Sequence, residues 1–237
     1  INLKHTIALV GEEKFGKPFA KRLKSLKVVP SVFSLHLVLK PNVIPYFNNN
    51  IYHFKNIEAV WTSQNQKEDN WPQHAVITTN IKDKKQMFCD SLTVMTYMNF
   101  DEVAEWEESF NTVKNQINRG SSYNKFKEER TERLLNLVAE KFPTIKENCL
   151  AIYTSTPLSY RDYIGCERGN LYGFEKESRS PMKTFISPKT KVKNLFLTGQ
   201  NVRMHGILGV TIGAFVTAAE ILGKDYLLSK VKTKVNE

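Results

Sequence analysis

Apolar and polar positions alternate with the period of a β-strand in several short segments of the chain. Residues 31–40 show this most clearly, with Val32 and Ser34 on one face. The other segments with a strand pattern are 51–54, 75–80, 92–100 and 151–155. Residues 92–100 are apolar on both faces, which predicts a strand in the centre of a sheet.

Apolar residues recur with helical spacing in two polar segments, at 12–28 and 123–141. Four glutamates near the start of residues 102–117 predict a second helix between them. In the first, Leu23 and Leu26 lie on one face; in the last, Leu134 and Val138 do so. Asp101 stands where it can cap the second helix. Strands and helices interspersed in this way predict an α/β (α+β) fold with a mixed sheet.

Composition indicates a folded chain that buries a substantial core. Of its 237 residues, 41% are hydrophobic and 11% aromatic, which excludes disorder for most of the length. The most apolar stretch, 206–223, contains Glu220 and is diluted by Gly, Thr and Ala. It therefore predicts a buried helix rather than one that spans a membrane.

The charge is unevenly distributed along the chain. The net charge is +10, and residues 1–40 carry 8 basic against 2 acidic groups, while residues 179–237 carry 10 against 3. Basic ends can face phosphate, an anionic membrane surface or only solvent. No zinc-finger, RNP-type or recognition-helix pattern supports nucleic acid. A non-catalytic basic binding module, for a membrane surface or nucleic acid, stays open as an alternative function.

The cysteines and histidines predict neither a disulfide framework nor a metal site. Cys89, Cys149 and Cys166 are far apart and form no CxxC pair. The histidines are scattered singly. We therefore expect no metal, and a cytoplasmic setting with peripheral contact to a membrane surface left open.

Residues 156–173 are rich in turn formers, glycines and aromatic residues and show no clean period. A long irregular segment in a compact domain is more often functional than structural. Its aromatic side chains predict a ligand lining formed by Tyr160, Tyr163 and Tyr172. Asp162, beside them in sequence, serves either a polar site or a surface pair.

The strongest pattern is a short apolar segment followed by a glycine turn and a glycine-led helix. Residues 194–198 read as a strand, 199–201 as a tight turn, and 207–222 as a helix that we expect to be largely buried. Glycines at the start of a helix let a flat or anionic ligand approach the backbone N–H groups. The same glycines would also allow close packing in a core.

This segment resembles a known motif. Asn-Leu-Phe-Leu-Thr-Gly-Gln-Asn at 194–201, followed by Gly-Ile-Leu-Gly-Val at 206–210, is similar to the C-terminal flavin-contacting motif of one enzyme group. That group comprises phytoene desaturases, carotenoid isomerases and retinol saturases, which are FAD-dependent oxidoreductases of the amine oxidase-like superfamily. Thr-Pro-Leu-Ser-Tyr at 156–160 and Arg-Gly-Asn-Leu-Tyr-Gly at 168–173 resemble the retinol saturase branch in particular. The resemblance covers about 156–222.

The resemblance implies FAD as cofactor and a long apolar isoprenoid, such as a carotenoid or retinoid, as substrate. It places the glycine turn near the ribityl–diphosphate, where many relatives have an acidic residue and this chain has Gln200. It places the helix start at the pyrimidine edge of the isoalloxazine. The implied cofactor-binding residues are Gly199, Gln200, Asn201, Gly206, Leu208, Gly209, Val210 and Gly213. Arg203 and His205 are the weak candidates for a catalytic role.

One element of that family has no counterpart in this sequence. Such enzymes begin with a Rossmann βαβ unit that carries G-x-G-x-x-G, whereas Gly11 and Gly16 stand among charged residues. The resemblance therefore implies a C-terminal fragment that binds FAD weakly or not at all and is inactive alone. Residues 1–24 would join the FAD domain, 25–155 would form a substrate-type domain, and 156–237 would be the C-terminal part of the FAD-binding domain.

Overall fold

The computed structural model describes residues 2–65, 68–83 and 85–235. The chain divides into two compact units. We call residues 30–171 the sheet unit, and residues 2–29 together with 172–235 the helical unit. The division expected from the sequence lies at 24/25 and 155/156, and the assignment of its parts to a flavoprotein stays a prediction.

The sheet unit contains one five-stranded sheet. Its strands are β1 (Ser31–Leu39), β2 (Ile51–Phe54), β3 (His74–Asn80), β4 (Ser91–Met98) and β5 (Cys149–Ser155). Their order is β2-β3-β4-β1-β5, so β4 is central as predicted. The α+β class is confirmed. The sheet is not mixed, however, because every neighbouring pair of these strands is antiparallel.

The described residues also form eight α-helices. They are α1 (Leu3–Val10), α2 (Glu12–Phe15), α3 (Lys17–Ser25), α4 (Ala59–Thr62), α5 (Gly120–Ala139), α6 (Pro157–Ile164), α7 (Gly206–Leu222) and α8 (Lys224–Val235). Short 3₁₀ segments lie at Ser63–Asn65, Glu68–Asn70, Phe100–Trp106, Glu167–Gly169 and Pro181–Thr184.

The core of the sheet unit forms between one face of the sheet and α5. Leu35 and Leu37 of β1 belong to the same buried cluster as Leu134 and Leu137 of α5. Burial of one such leucine side chain contributes about 1.5–3 kcal/mol. The helix predicted at 123–141 is present as α5, which begins three residues earlier, at Gly120.

The helix predicted at 102–117 is wrong. A 3₁₀ segment over Phe100–Trp106 replaces it, and the chain beyond is irregular as far as α5. Val103 reaches the core, but Val113, further along the segment, is 74% exposed and does not anchor a helix there. The carboxylate of Asp101, the expected cap, instead accepts a 2.6 Å hydrogen bond from Nη2 of Arg168.

The segment expected to be irregular begins with α6. Thr156 precedes Pro157 at the first helical position, and the backbone N–H of Thr156 donates to Oγ of Ser159 at 3.2 Å. Gly165 ends the helix with φ 71°. Threonine before proline and glycine after the last turn are ordinary helix boundaries, so the sequence carried this signal.

The helical unit also departs from the predicted helix at 12–28. Three short helices occupy residues 3–25, because the backbone turns at Gly11 (φ 104°) and Gly16 (φ 88°). Their apolar faces surround a second core, which includes Ile7, Leu23 and Leu197.

The strand predicted at 194–198 is wrong. Phe196 makes a single bridge with Lys189, and the N–H of Leu197 donates to the carbonyl of Pro188 at 2.7 Å. No strand of the described residues lies alongside this segment, and a strand needs neighbours to pair its backbone groups.

Helix α7 is present, but the expectation that it is largely buried is wrong. Only Gly209, Gly213 and Thr217 are buried, whereas Ile207 is 91% exposed. Among the residues described, none of the helices combines the length and hydropathy needed to cross a bilayer.

Candidate functional site

The glycine turn reverses the chain just before α7. Gly199 has φ 99°, and its carbonyl accepts hydrogen bonds from the N–H groups of Val202 (3.1 Å) and Arg203 (3.3 Å). A Cβ on Gly199 would meet nothing within 4 Å. Backbone conformation rather than space therefore requires glycine here. Gln200 lies in this turn, partly exposed.

The start of α7 is open and lacks a side-chain cap. His205 occupies the cap position without a side-chain hydrogen bond to the helix. Gly206 has φ 74°, and a Cβ on it would meet nothing within 4 Å. Leu208 is 74% and Val210 40% exposed. The first N–H groups of a helix have no partners within it, so this end can donate to an acceptor or anion.

One narrow face of α7 docks on the residues that follow the turn. A Cβ on Gly209 would lie 2.6 Å from Cβ of Met204, and one on Gly213 would lie 3.5 Å from Cβ of Arg203. One turn further, the hydroxyl of Thr217 donates to the carbonyl of Leu197 at 3.2 Å. Gly209 thus has a packing role, whether or not a ligand also approaches it, and Gly213 lies on the same docked face with room for an ordinary contact.

Two buried polar atoms beside this turn lack hydrogen-bond partners within the part of the chain that the structure describes. They are Oδ1 of Asn201 and Nε of Arg203. An unsatisfied buried polar group costs about 1–3 kcal/mol. The Asn201 side chain also occupies the space that a Cβ on Gly173 would need. Each atom thus has unused hydrogen-bonding capacity, although neither is exposed to solvent.

A cavity of about 500 Å³, the α7 cavity, adjoins these residues and is lined in part by Gly209, Arg203 and Lys176. Nζ of Lys176 donates to the carbonyls of Thr184 and Asn201, each at 3.4 Å. Burial, and then the charge of Arg203, lower the pKa of Lys176. Two cations so close together favour a negatively charged neighbour.

Tyr172 and His205, two further predicted site residues near the turn, contact each other. The rings of Tyr172 and His205 are 4.5 Å apart between centroids, inclined at 32°. The contact holds the imidazole beside the start of α7, where Arg203 also lies, its guanidinium 5.1 Å from the ring centroid of Phe185.

Tyr160 and Tyr163 lie together in the sheet unit. They line a second cavity of about 600 Å³, which we call the α5–α6 cavity after two of the helices that form it. The hydroxyl of Tyr160 is 2.7 Å from Oγ of Ser34, and burial raises the pKa of Tyr160. Tyr163 is 59% exposed. The structure thus brings two of the three predicted tyrosines together and places Tyr172 in the helical unit.

The sequence did not identify the charged residues of the α5–α6 cavity. Arg119 and Lys127 line it, and Asp162 is wholly buried in an ion pair with Arg119. Tyr123 and Lys127 are four residues apart on α5 and so share a face, which was an available signal. The pairing of Arg119 with Asp162 spans 43 residues and leaves no local pattern.

The tight turn, the uncapped glycine-led start of α7 and the two polar atoms that lack partners among the described residues lie close together in the helical unit. No model of a known protein family matches the chain. It is 30% identical over 138 residues to the all-trans-retinol 13,14-reductase of Danio rerio, covering 57% of this chain and 22% of that protein. It is 26% identical over 110 residues to the Homo sapiens protein of the same name, covering 45% and 18%. It is also 27% identical over 136 residues to an inactive all-trans-retinol 13,14-reductase of Danio rerio, covering 55% and 22%.

The chain is thus a distant homologue of all-trans-retinol 13,14-reductases and spans about a fifth of the length of the curated relatives it matches. This similarity supports the retinol saturase branch of the predicted family. Similarity to phytoene desaturases and carotenoid isomerases stays a prediction.

Proposed function

We propose that this chain is the C-terminal portion of an FAD-dependent oxidoreductase of the retinol saturase type. It would act on carbon–carbon double bonds of a long apolar isoprenoid, with a retinoid favoured by the names of the relatives. The observation that carries the proposal is the uncapped start of α7 beside the unpartnered polar atoms of Asn201 and Arg203. A structural helix end would ordinarily have these groups satisfied.

The residues present fit the flavin. Gly199 and Gly206 leave open space, the first N–H groups of α7 can donate to ring or ribityl oxygens, and Asn201 can accept from a hydroxyl. When bound, flavin supplies a two-electron redox centre for the double bond. The positive end of α7 stabilises negative charge placed beside it by about 0.3–1 kcal/mol, and Arg203 and Lys176 add to this effect.

The roles of the other predicted residues follow from their positions. His205, held against Tyr172, would orient a substrate or carry a proton at an imidazole nitrogen. Tyr160 and Tyr163 would line a ligand within the sheet unit.

The experiment measures FAD in the full-length protein that the proposal implies. Arg203→Met and Asn201→Leu should each lower the FAD content per folded molecule, because each removes a polar group beside the turn. Arg179→Met, at an exposed arginine, is the matched control and should leave FAD content unchanged. The chain of 237 residues alone should show no stable flavin absorbance. Stoichiometric FAD on that chain, or normal FAD content in both variants, would contradict the proposal.

Contact with a membrane surface is a further component of this proposal. Tyr226 and Leu228 of α8 are 53% and 47% exposed, on a helix that also carries Lys224 and Lys230. Apolar side chains with lysines favour anionic lipid surfaces. Sedimentation with anionic vesicles but not with neutral ones is the expected result. A cytoplasmic location stays a prediction from the cysteine usage alone.

A further inference from the structure

The α5–α6 cavity of the sheet unit carries an excess of positive charge. We propose that it binds the carboxylate of an amphipathic acid, such as a long-chain or polyene acid, with the apolar body against its tyrosines. The proposal rests on the proposed function only in taking Tyr160 and Tyr163 as residues that line a ligand. It is otherwise independent of the flavin.

The buried carboxylate of Asp162 lies beside the cavity and already pairs with two arginines. Asp162 is 0% exposed and pairs with Nη2 of Arg119, whose side chain is only 5% exposed. Its other oxygen accepts from Nε of Arg161 at 2.7 Å. The N–H of Asn111 also donates to this carboxylate, at 2.9 Å. Two guanidinium groups thus share a single negative charge, so the cluster is positive overall.

Lys127 adds a second positive charge that faces the cavity. Its Nζ lies 5.8 Å from the ring centroid of Tyr123. Within residues 2–65, 68–83 and 85–235 it forms no ion pair with a carboxylate, and no acidic side chain lines the cavity. Burial, and then the charge of Arg119, lower the pKa of Lys127. An anion between the two cations would relieve both effects.

The rest of the lining suits an organic ligand better than an inorganic ion. Tyr163 and Ile164 are 59% and 61% exposed and line the cavity. The hydroxyl of Tyr160 is engaged by Ser34 at 2.7 Å, so Tyr160 offers mainly its ring. A volume of about 600 Å³ lies within the range of small-molecule pockets. The geometry therefore joins an anion site to an aromatic wall.

The test is a fluorescence titration of the whole chain with cis-parinaric acid, a polyene acid, and with its methyl ester as the uncharged counterpart. The acid should bind with one site and at least tenfold more tightly than the ester. Lys127→Met should weaken binding of the acid at least tenfold and leave the ester unaffected. Lys127→Arg keeps the charge and should retain binding.

Lys125→Met is the matched control, since Lys125 lies on the same helix and its side chain is 78% exposed. It should change nothing. Laurate should displace the probe, and an equal concentration of inorganic phosphate should not. Equal affinity for acid and ester, unchanged binding in folded Lys127→Met, or displacement by phosphate would each overturn the proposal. None of these outcomes depends on FAD content, so the proposed function can stand or fail separately.

Discussion

Gly209 and Gly213 of α7 offer a paired test of how this helix docks. Alanine in place of glycine in a helix interior stabilises it by about 1 kcal/mol through propensity. At Gly213 the new Cβ would lie 3.5 Å from Cβ of Arg203, an ordinary contact. Gly213→Ala should therefore stabilise α7 by up to about 1 kcal/mol.

At Gly209 the same substitution meets an obstacle. The new Cβ would lie 2.6 Å from Cβ and 2.8 Å from the carbonyl carbon of Met204. Carbon atoms in contact are normally about 3.5–4.0 Å apart, so helix or loop must move by about 1 Å. Overpacking of this kind costs about 1–3 kcal/mol. The propensity gain is common to both variants, so Gly209→Ala should be less stable than Gly213→Ala by about 1–3 kcal/mol.

Hydrogen exchange followed by mass spectrometry reports this difference in the segment 206–222. Gly213→Ala should slow exchange there up to about fivefold, because 1 kcal/mol changes an equilibrium by that factor. Gly209→Ala should accelerate exchange relative to Gly213→Ala. Segments of the sheet unit serve as the internal control and should exchange alike in both variants. Equal protection of α7 in the two variants would show that Gly209 does not contact Met204 as described.

Three further predictions concern the sheet unit. Burial lowers the pKa of His74 to about 4, below the ordinary 6.5, so its neutral form contributes stability that is complete above pH 6.5 and lost as the pH falls towards 4. The unfolding free energy measured with urea should fall from pH 7 to pH 5 by about 2 kcal/mol more in the wild type than in His74→Gln. An equal fall in the two proteins would contradict this prediction. Asp162→Ala leaves Arg119 buried and unpaired and should cost about 3–5 kcal/mol of unfolding free energy, with a smaller loss in Asp162→Asn. Tyr123→Phe removes the 2.8 Å hydrogen bond to Oγ1 of Thr156 and should cost about 1 kcal/mol by the same measurement, whereas no loss would show that water replaces it.

The sequence predicted the sheet well because its strands are short and their burial is periodic. Along β4 buried and half-buried residues alternate and neither face is exposed, as the apolar residues on both faces of 92–100 predicted. The helix at 102–117 failed because the acidic residues after Asp101 favour a helix start but supply no apolar face. A start signal alone does not hold a helix against the entropy of ordering it, and Phe110 and Val113 remain exposed.

The helical unit was harder to predict because its structure depends on backbone conformations that only glycine adopts readily. The sequence pattern places Gly11 and Gly16 inside one helix or at its flank, yet each has a positive φ. A glycine in a basic, helix-forming stretch costs about 1 kcal/mol if it stays helical. That cost is small enough for tertiary packing to decide the outcome. Burial of Phe15, which lies between Gly11 and Gly16, favours short helices separated by turns over one continuous helix.

The glycines of the candidate site divide into two kinds that spacing alone could not separate. Gly199 and Gly206 have positive φ and open space around them. The other two glycines are helical: Gly209 faces Met204 and Gly213 faces Arg203. By spacing, all four are expected to clear a surface for a ligand. Packing against Met204 already accounts for the glycine at position 209, whereas a side-chain carbon at position 213 would make only an ordinary contact with Arg203. The proposal of a ligand at the start of α7 therefore rests on the other features: the open turn, the uncapped N–H groups and the atoms of Asn201 and Arg203 that have no partner among the described residues. Substitutions at Asn201 and Arg203 therefore test the proposed cofactor site, whereas substitutions at Gly209 test the docking of the helix.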